Sequence, residues 1–262
     1  MDPAIGGPLA KKIEEWMESD VAPFRDKSVA WLSEAHFFRD PSRPLYSDLR
    51  YFLAPADGII LYQREVEPDE CIVDIKGKPY SLRDALRDPS YAHKSLVIGI
   101  FMTFFDVHVN RVPYPGRIFY RELEPIDTYN HPMLDVERQI LEDLRVSTDS
   151  LGYLRHNQRM VNRVESSQLG GSYYVLQIAD YDIDCILPYN LKQGQPYVQG
   201  ERFSQIRYGS QVDLVVPLRP GFEWITLQAT GSHVEGGLDP LIEVRERTGN
   251  PPNSPPTERQ LP

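Results

Sequence analysis

Cysteine is nearly absent from this chain of 262 residues: Cys71 and Cys185 stand far apart, and neither belongs to a C-x-x-C pair. That excludes a disulfide-framed fold, and buried, reduced thiols are the expectation. Long apolar runs are missing too, so nothing reads as a bilayer span. The start, MDPAIGGPLAKKIEEW, has neither the basic opening nor the apolar core of a signal peptide, and a cytoplasmic protein is expected. Basic charge is in short supply, with 28 Lys and Arg against 38 Asp and Glu, a net −10. This excludes the basic footprint of a nucleic-acid groove. It also works against tight docking on anionic lipid, although a local patch could still touch it. There is no GxSxG elbow, HExxH, P-loop or Rossmann glycine pattern, and the six histidines show no metal-ligand spacing.

What is present reads as a soluble, β-rich chain, 41% hydrophobic and 25% charged, long enough for a sizeable core. LAKKIEEWMESDV (9–21) sets Leu9, Ile13, Trp16 and Met17 on one helical face, which either packs on its own domain or lies on a membrane. A second short helix is expected over 27–37. From residue 51 the texture turns to strands: 51–63, 71–75, 95–112 and 116–123, then 173–180, 184–189, 211–217, 223–229 and 241–246. One helix interrupts them at 134–144. With no βαβ alternation, the fold class is α+β: a compact multi-stranded β domain with a few peripheral helices. The division is a helical extension over 1–50, a β-rich domain over 51–248, and a disordered proline-rich tail over 249–262.

Four stretches invite a chemical reading. FFDVHVNRVPYPG (104–116), as part of one strand, places Asp106, His108 and Asn110 on one face. Three polar groups inside an apolar run need partners or a task; a satisfied polar cluster is the plain alternative. APADG (54–58) sets Asp57 before Gly58, as an Asp-Gly turn would. HNQR (156–159) reads as a polar loop. IRYGSQVDLVVP (206–217) opens on Gly209-Ser210, either a kink in a strand or a place built to be cut. The chain also holds Gly171-Ser172 and Gly231-Ser232, so the dipeptide alone decides nothing.

Taken in order, APADG, IKGKPYSL (75–82), FFDVHVNRVPYPG, HNQR, YVLQIA (174–179) and GERFSQIRYGSQVDLVVP (200–217) resemble the phosphatidylserine decarboxylase family, from about Leu53 to about Val244. The resemblance implies a pyruvoyl enzyme that cleaves itself between Gly209 and Ser210, with the pyruvoyl group derived from Ser210 and neither metal nor PLP required. It maps the family's processing aspartate and histidine onto Asp57 and His108, and places Gly231-Ser232 on a glycine turn. A serine hydroxyl needs such a base, and a carboxylate would fix the base's tautomer. The two fragments would remain together as a heterodimer.

The implied reaction passes through a Schiff base between the pyruvoyl ketone and a substrate amine, loses carbon dioxide, and takes a proton back from His108. Phosphatidylserine to phosphatidylethanolamine comes first. Decarboxylation of a soluble, for instance aromatic, amino acid and an unprocessed, non-catalytic relative are the alternatives. Expected partners are a lipid or small-molecule substrate, with peripheral membrane contact open and no nucleic acid. The chain departs from the family pattern in Gln211 after the cleavage serine, in the acidic ADYDIDCI (179–186), and in a longer middle segment over 124–155.

Overall fold

β-Branched and aromatic runs between glycine and proline turns build a nine-stranded antiparallel sheet in the computed structural model, which describes residues 10–45, 47–181, 184–207 and 209–247. Across this sheet the strands run Lys11–Lys12, Ser232–Val234, Gly58–Val66, Ser95–Met102, Ser210–Pro217, Gly171–Ala179, Arg159–Ser166, Gly116–Leu123 and Gln195–Tyr197. Ser95–Met102 and Ser210–Pro217 lie side by side at its centre and are buried along their whole length. Because side chains alternate, Leu96, Ile98, Ile100 and Met102 enter one core while Val97 and Phe101 enter the other. The architecture is thus the β-rich α+β class that the sequence implies.

Register brings one set of loops to one end of the sheet. Ser210 pairs with Met102 on one side and Ala179 on the other, Ile178 pairs with Arg159, and Leu123 pairs with Arg159. Residues 54–57, 103–108, 124–158, 180–181, 184–185, 207 and 209 therefore all lie beyond the sheet at the Ser210 end. Gly58 anchors the first of these loops. Its φ is +149°, and a Cβ there would stand 2.1 Å from the Phe101 carbonyl oxygen, so only glycine follows Asp57.

The expected single strand over 95–112 is broken. Residues 103–106 form a turn: Asp106 Oδ2 accepts from the Thr103 N–H and from Thr103 Oγ1, each at 2.7 Å. The chain then enters a separate three-stranded sheet as Val109–Arg111, beside Arg202–Ile206 and Ile186–Pro188. The alternation argument that placed Asp106, His108 and Asn110 on one strand face does not hold, because only Asn110 lies in a strand.

Before residue 50 the chain is mainly short helical turns, Ile13–Trp16 and Met17–Val21, then Val29–Trp31 and Leu32–His36. Leu9 lies outside the described residues. Ile13, Trp16 and Val21 are buried in the chain's own core, so this apolar face is not free for a membrane. Among the described residues no helix is long and apolar enough to cross one. Neither cysteine is in a disulfide; Cys185 is buried as expected, whereas Cys71 is only half-buried. The expected disordered tail over 249–262 lies outside the described residues.

Candidate active site

Ser210 begins a central strand with no exposure, and its hydroxyl donates to the Met102 Sδ at 3.3 Å. Asn110 Nδ2 reaches the same sulfur at 3.6 Å, while its Oδ1 accepts from Gln177 at 2.6 Å. Gln177 in turn accepts from Asn162 at 3.0 Å, so a buried polar string crosses the sheet to the serine's neighbour. Gly209 faces Asp180, whose Oδ2 would stand 2.7 Å from any Cβ at that position.

His108 is fully buried in the loop beyond Met102 and stacks on Phe37, with ring centroids 3.7 Å apart. Its Nδ1 lies 3.1 Å from the Asp106 carbonyl oxygen, and its Nε2 has no hydrogen-bond partner among the described residues. If Nδ1 carries the proton for that carbonyl, Nε2 presents a lone pair. Burial pushes the imidazole down to about 4, against the opposing pull of Asp106, so the ring is neutral at physiological pH. The Ile206 N–H donates to the His108 carbonyl at 3.1 Å.

Asp57 does not join this histidine. Both its oxygens are taken by Arg43, at 2.6 and 2.7 Å, and the Gly236 N–H donates to Oδ1 at 2.7 Å. The structure therefore places Asp57, His108 and Ser210 at the same end of the sheet without linking them in a hydrogen-bonded relay. The tautomer of His108 is set by a backbone carbonyl instead.

Sequence reasoning missed His233. Its Nε2 meets Asp106 Oδ1 at 2.7 Å, and its ring stacks on Trp16 at 4.9 Å. Burial alone would lower this imidazole, but the Asp106 charge and hydrogen bond outweigh it and hold His233 above the ordinary value. Burial would raise the Asp106 carboxyl, but the His233 charge and hydrogen bond and the Thr103 bonds outweigh it, so the carboxyl sits below the usual range. The pair's stabilisation is complete between about pH 4 and about pH 6.5; it fades as pH rises through the raised His233 pKa and as pH falls through the lowered Asp106 pKa. Asp106→Asn is expected to drop the His233 titration, followed by NMR, below its ordinary range and to cost about 3–5 kcal/mol near pH 6 in denaturant unfolding. An unmoved His233 titration would contradict the pairing.

HNQR is a structural keystone rather than a plain loop. Asn157 accepts from the His131 N–H at 2.7 Å and donates to the Ala179 carbonyl at 2.8 Å. Gln158 exchanges bonds with Asp184, and Arg159, fully buried, donates to Tyr80 Oη at 3.0 Å and to the Ala85 carbonyl at 3.1 Å. Gln211, the departure after the serine, donates to Tyr62 Oη and to Asp213, each at 2.7 Å, and accepts from Tyr153 at 2.6 Å. Burial pushes Asp213 up to about 6. Histidines that looked scattered also meet: ligand atoms of Asp127, His131 and His156 lie within 4.8 Å of one another.

Comparison with known proteins gives one consistent result. The family model described as phosphatidylserine decarboxylase matches residues 34–239. A phosphatidylserine decarboxylase proenzyme of Erythrobacter litoralis is 30% identical over 198 residues, covering 73% of this chain and 69% of that protein. One of Paraburkholderia phymatum is 30% identical over 201 residues, covering 76% of each. A Methanothermobacter thermautotrophicus protein, named as an archaetidylserine decarboxylase proenzyme, is 32% identical over 181 residues, covering 69% of each.

Proposed function

The chain belongs to the phosphatidylserine decarboxylase family of carbon–carbon lyases, and from that premise we propose that it cuts itself between Gly209 and Ser210 and then decarboxylates phosphatidylserine. The observation that carries this reading is His108 Nε2: a buried, neutral nitrogen with no hydrogen-bond partner among the described residues, at the sheet end where Ser210 begins its strand.

In the proposed cleavage Ser210 Oγ attacks the Gly209 carbonyl carbon and gives its proton to His108 Nε2. The carbon–nitrogen bond breaks, the nitrogen of residue 210 leaves as an amine, and an ester joins Gly209 to the serine oxygen. Loss of the residue 210 Cα proton expels the Gly209 carboxylate and leaves a dehydroalanine. Its imine tautomer takes up water and releases ammonia, leaving a pyruvoyl group at the head of the strand. The surroundings suit such a group: the strand start is fully buried, and Gly209 presents no side chain to Asp180.

The pyruvoyl group supplies a carbonyl that accepts the electron pair left behind by departing carbon dioxide. Around it, His108 holds or returns a proton at Nε2, Asp106 keeps that ring's tautomer through its carbonyl, and the Gln211 bonds hold the next residue in register. The two fragments stay paired through the sheet, since Ser210–Pro217 is flanked by strands from before the cut. A cytoplasmic place of action at a membrane surface belongs to the same proposal.

Carbon dioxide release tests the substrate. Release from phosphatidylserine vesicles, with none from free amino acids, is the expected result. Release from aromatic amino acids, with none from vesicles, would move the assignment to a soluble substrate.

A further inference from the structure

In a chain with 38 acidic residues, one pocket of about 380 Å³ has no carboxylate in its wall among the described residues. Lys76, Lys78 and Arg155 line it, together with His131, His156 and Ile126. Both lysines come from the tip of a tight hairpin, Val73–Ile75 to Lys78–Tyr80, where Lys76 and Gly77 take positive φ of 52° and 79°. One buried nitrogen in the wall, Arg155 Nε, has no hydrogen-bond partner among the described residues. Asp127 touches both histidines, at 2.9 and 3.0 Å, without itself lining the pocket.

A metal ion fits this arrangement poorly. The His131 and His156 rings stack at 4.5 Å, and His131 Nε2 and His156 Nδ1 already meet one oxygen, Asp127 Oδ2, at 2.9 and 3.0 Å, so these donors are taken up with one another. Three fixed cations around the same space would also repel a divalent ion. An anion meets neither objection. Guanidinium and ammonium donors converging on one cavity are the groups that recognise phosphate.

We propose that this pocket binds a phosphate-bearing anion, either a lipid headgroup or free phosphate. The lipid source rests on the decarboxylase reading; the pocket does not. Two features favour the lipid. Ile126 at the wall is 64% exposed and Tyr129, which stacks on His131, is 56% exposed, so apolar groups stand beside the cations. The pocket also shares the Ser210 end of the sheet, and Asn157, next to His156, bonds the carbonyl of Ala179, the register partner of Ser210.

The test uses the full chain, inorganic phosphate by calorimetry, and sedimentation with phosphatidylcholine vesicles with or without phosphatidylglycerol. Lys76→Gln/Lys78→Gln is expected to weaken partition onto the anionic vesicles roughly thirtyfold, about fivefold per lysine. A matched loss of charge elsewhere, Lys94→Gln/Lys192→Gln, should leave binding at the parent level. Loss of both vesicle and phosphate binding supports the lipid source, and loss of phosphate binding without any vesicle binding supports free phosphate. Parent-like binding by the hairpin variant, or equal weakening in the control, would overturn the proposal. Cleavage of the parent chain, read by mass, reports separately on the decarboxylase reading.

Discussion

Ser210→Ala should remain a single chain of 30.1 kDa with no decarboxylase activity, while the parent protein yields two fragments that meet between residues 209 and 210. The effect is all-or-none because the variant removes the attacking oxygen and the atoms from which the pyruvoyl group is made. Mass spectrometry of the denatured parent should find the fragment beginning at residue 210 blocked and sensitive to borohydride. Ser210 is already fully buried at a strand start with both neighbouring strands in register, so replacing its hydroxyl by hydrogen leaves the fold intact. Only a weak bond to the Met102 sulfur is lost. A parent chain that stays whole, indistinguishable from Ser210→Ala, would remove the pyruvoyl claim and leave an unprocessed relative.

The second large effect concerns the base. His108→Ala is expected to slow self-cleavage by about 10²–10⁴, the usual worth of a positioned general base. The pH profile carries more information than the rate. With the imidazole pushed down to about 4 by burial, its neutral form persists well below the ordinary histidine range. Cleavage by the parent should therefore be flat from pH 8 to about pH 5 and fall as the ring is protonated below about pH 4. Asp57→Asn separates a relay from an ion pair. Because Asp57 is bonded to Arg43 and the Gly236 N–H, that variant should lose stability without moving the pH profile. A His108→Ala protein that cleaves at the parent rate would sink the assignment of the base. A profile shifted by Asp57→Asn would show that the relay forms before cleavage.

The parts of the fold that were legible in the sequence are those where burial is continuous. Residues 95–102 and 211–217 read as strands because unbroken β-branched runs have little alternative, and both are central strands. The error over 103–112 came from the same rule: two phenylalanines continued the apolar run through a turn. The local signal was there in Thr103 and Asp106, three residues apart, a spacing that lets one carboxylate close a turn on both the hydroxyl and the N–H. The partner of Asp106 was not legible at all, since His233 lies 127 residues further along the chain and only register brings it back. Asp57 and His108 were found through their motifs. A motif gives residue types and order, however, and cannot say that an arginine from before the β-rich region holds the aspartate.

That last point extends to the whole N-terminal segment. Trp16 covers His233, Phe37 covers His108, Arg39 donates to the carbonyls of Phe105 and Asp106, and Arg43 holds Asp57. His233, by contrast, is made after the scissile bond. The geometry that surrounds Gly209 and Ser210 thus draws on both ends of the described chain, and it cannot exist on a nascent polypeptide still short of His233. Under the proposed chemistry, the break in the backbone would serve as a record that synthesis and docking were complete: a molecule cut in two would be one that had finished folding.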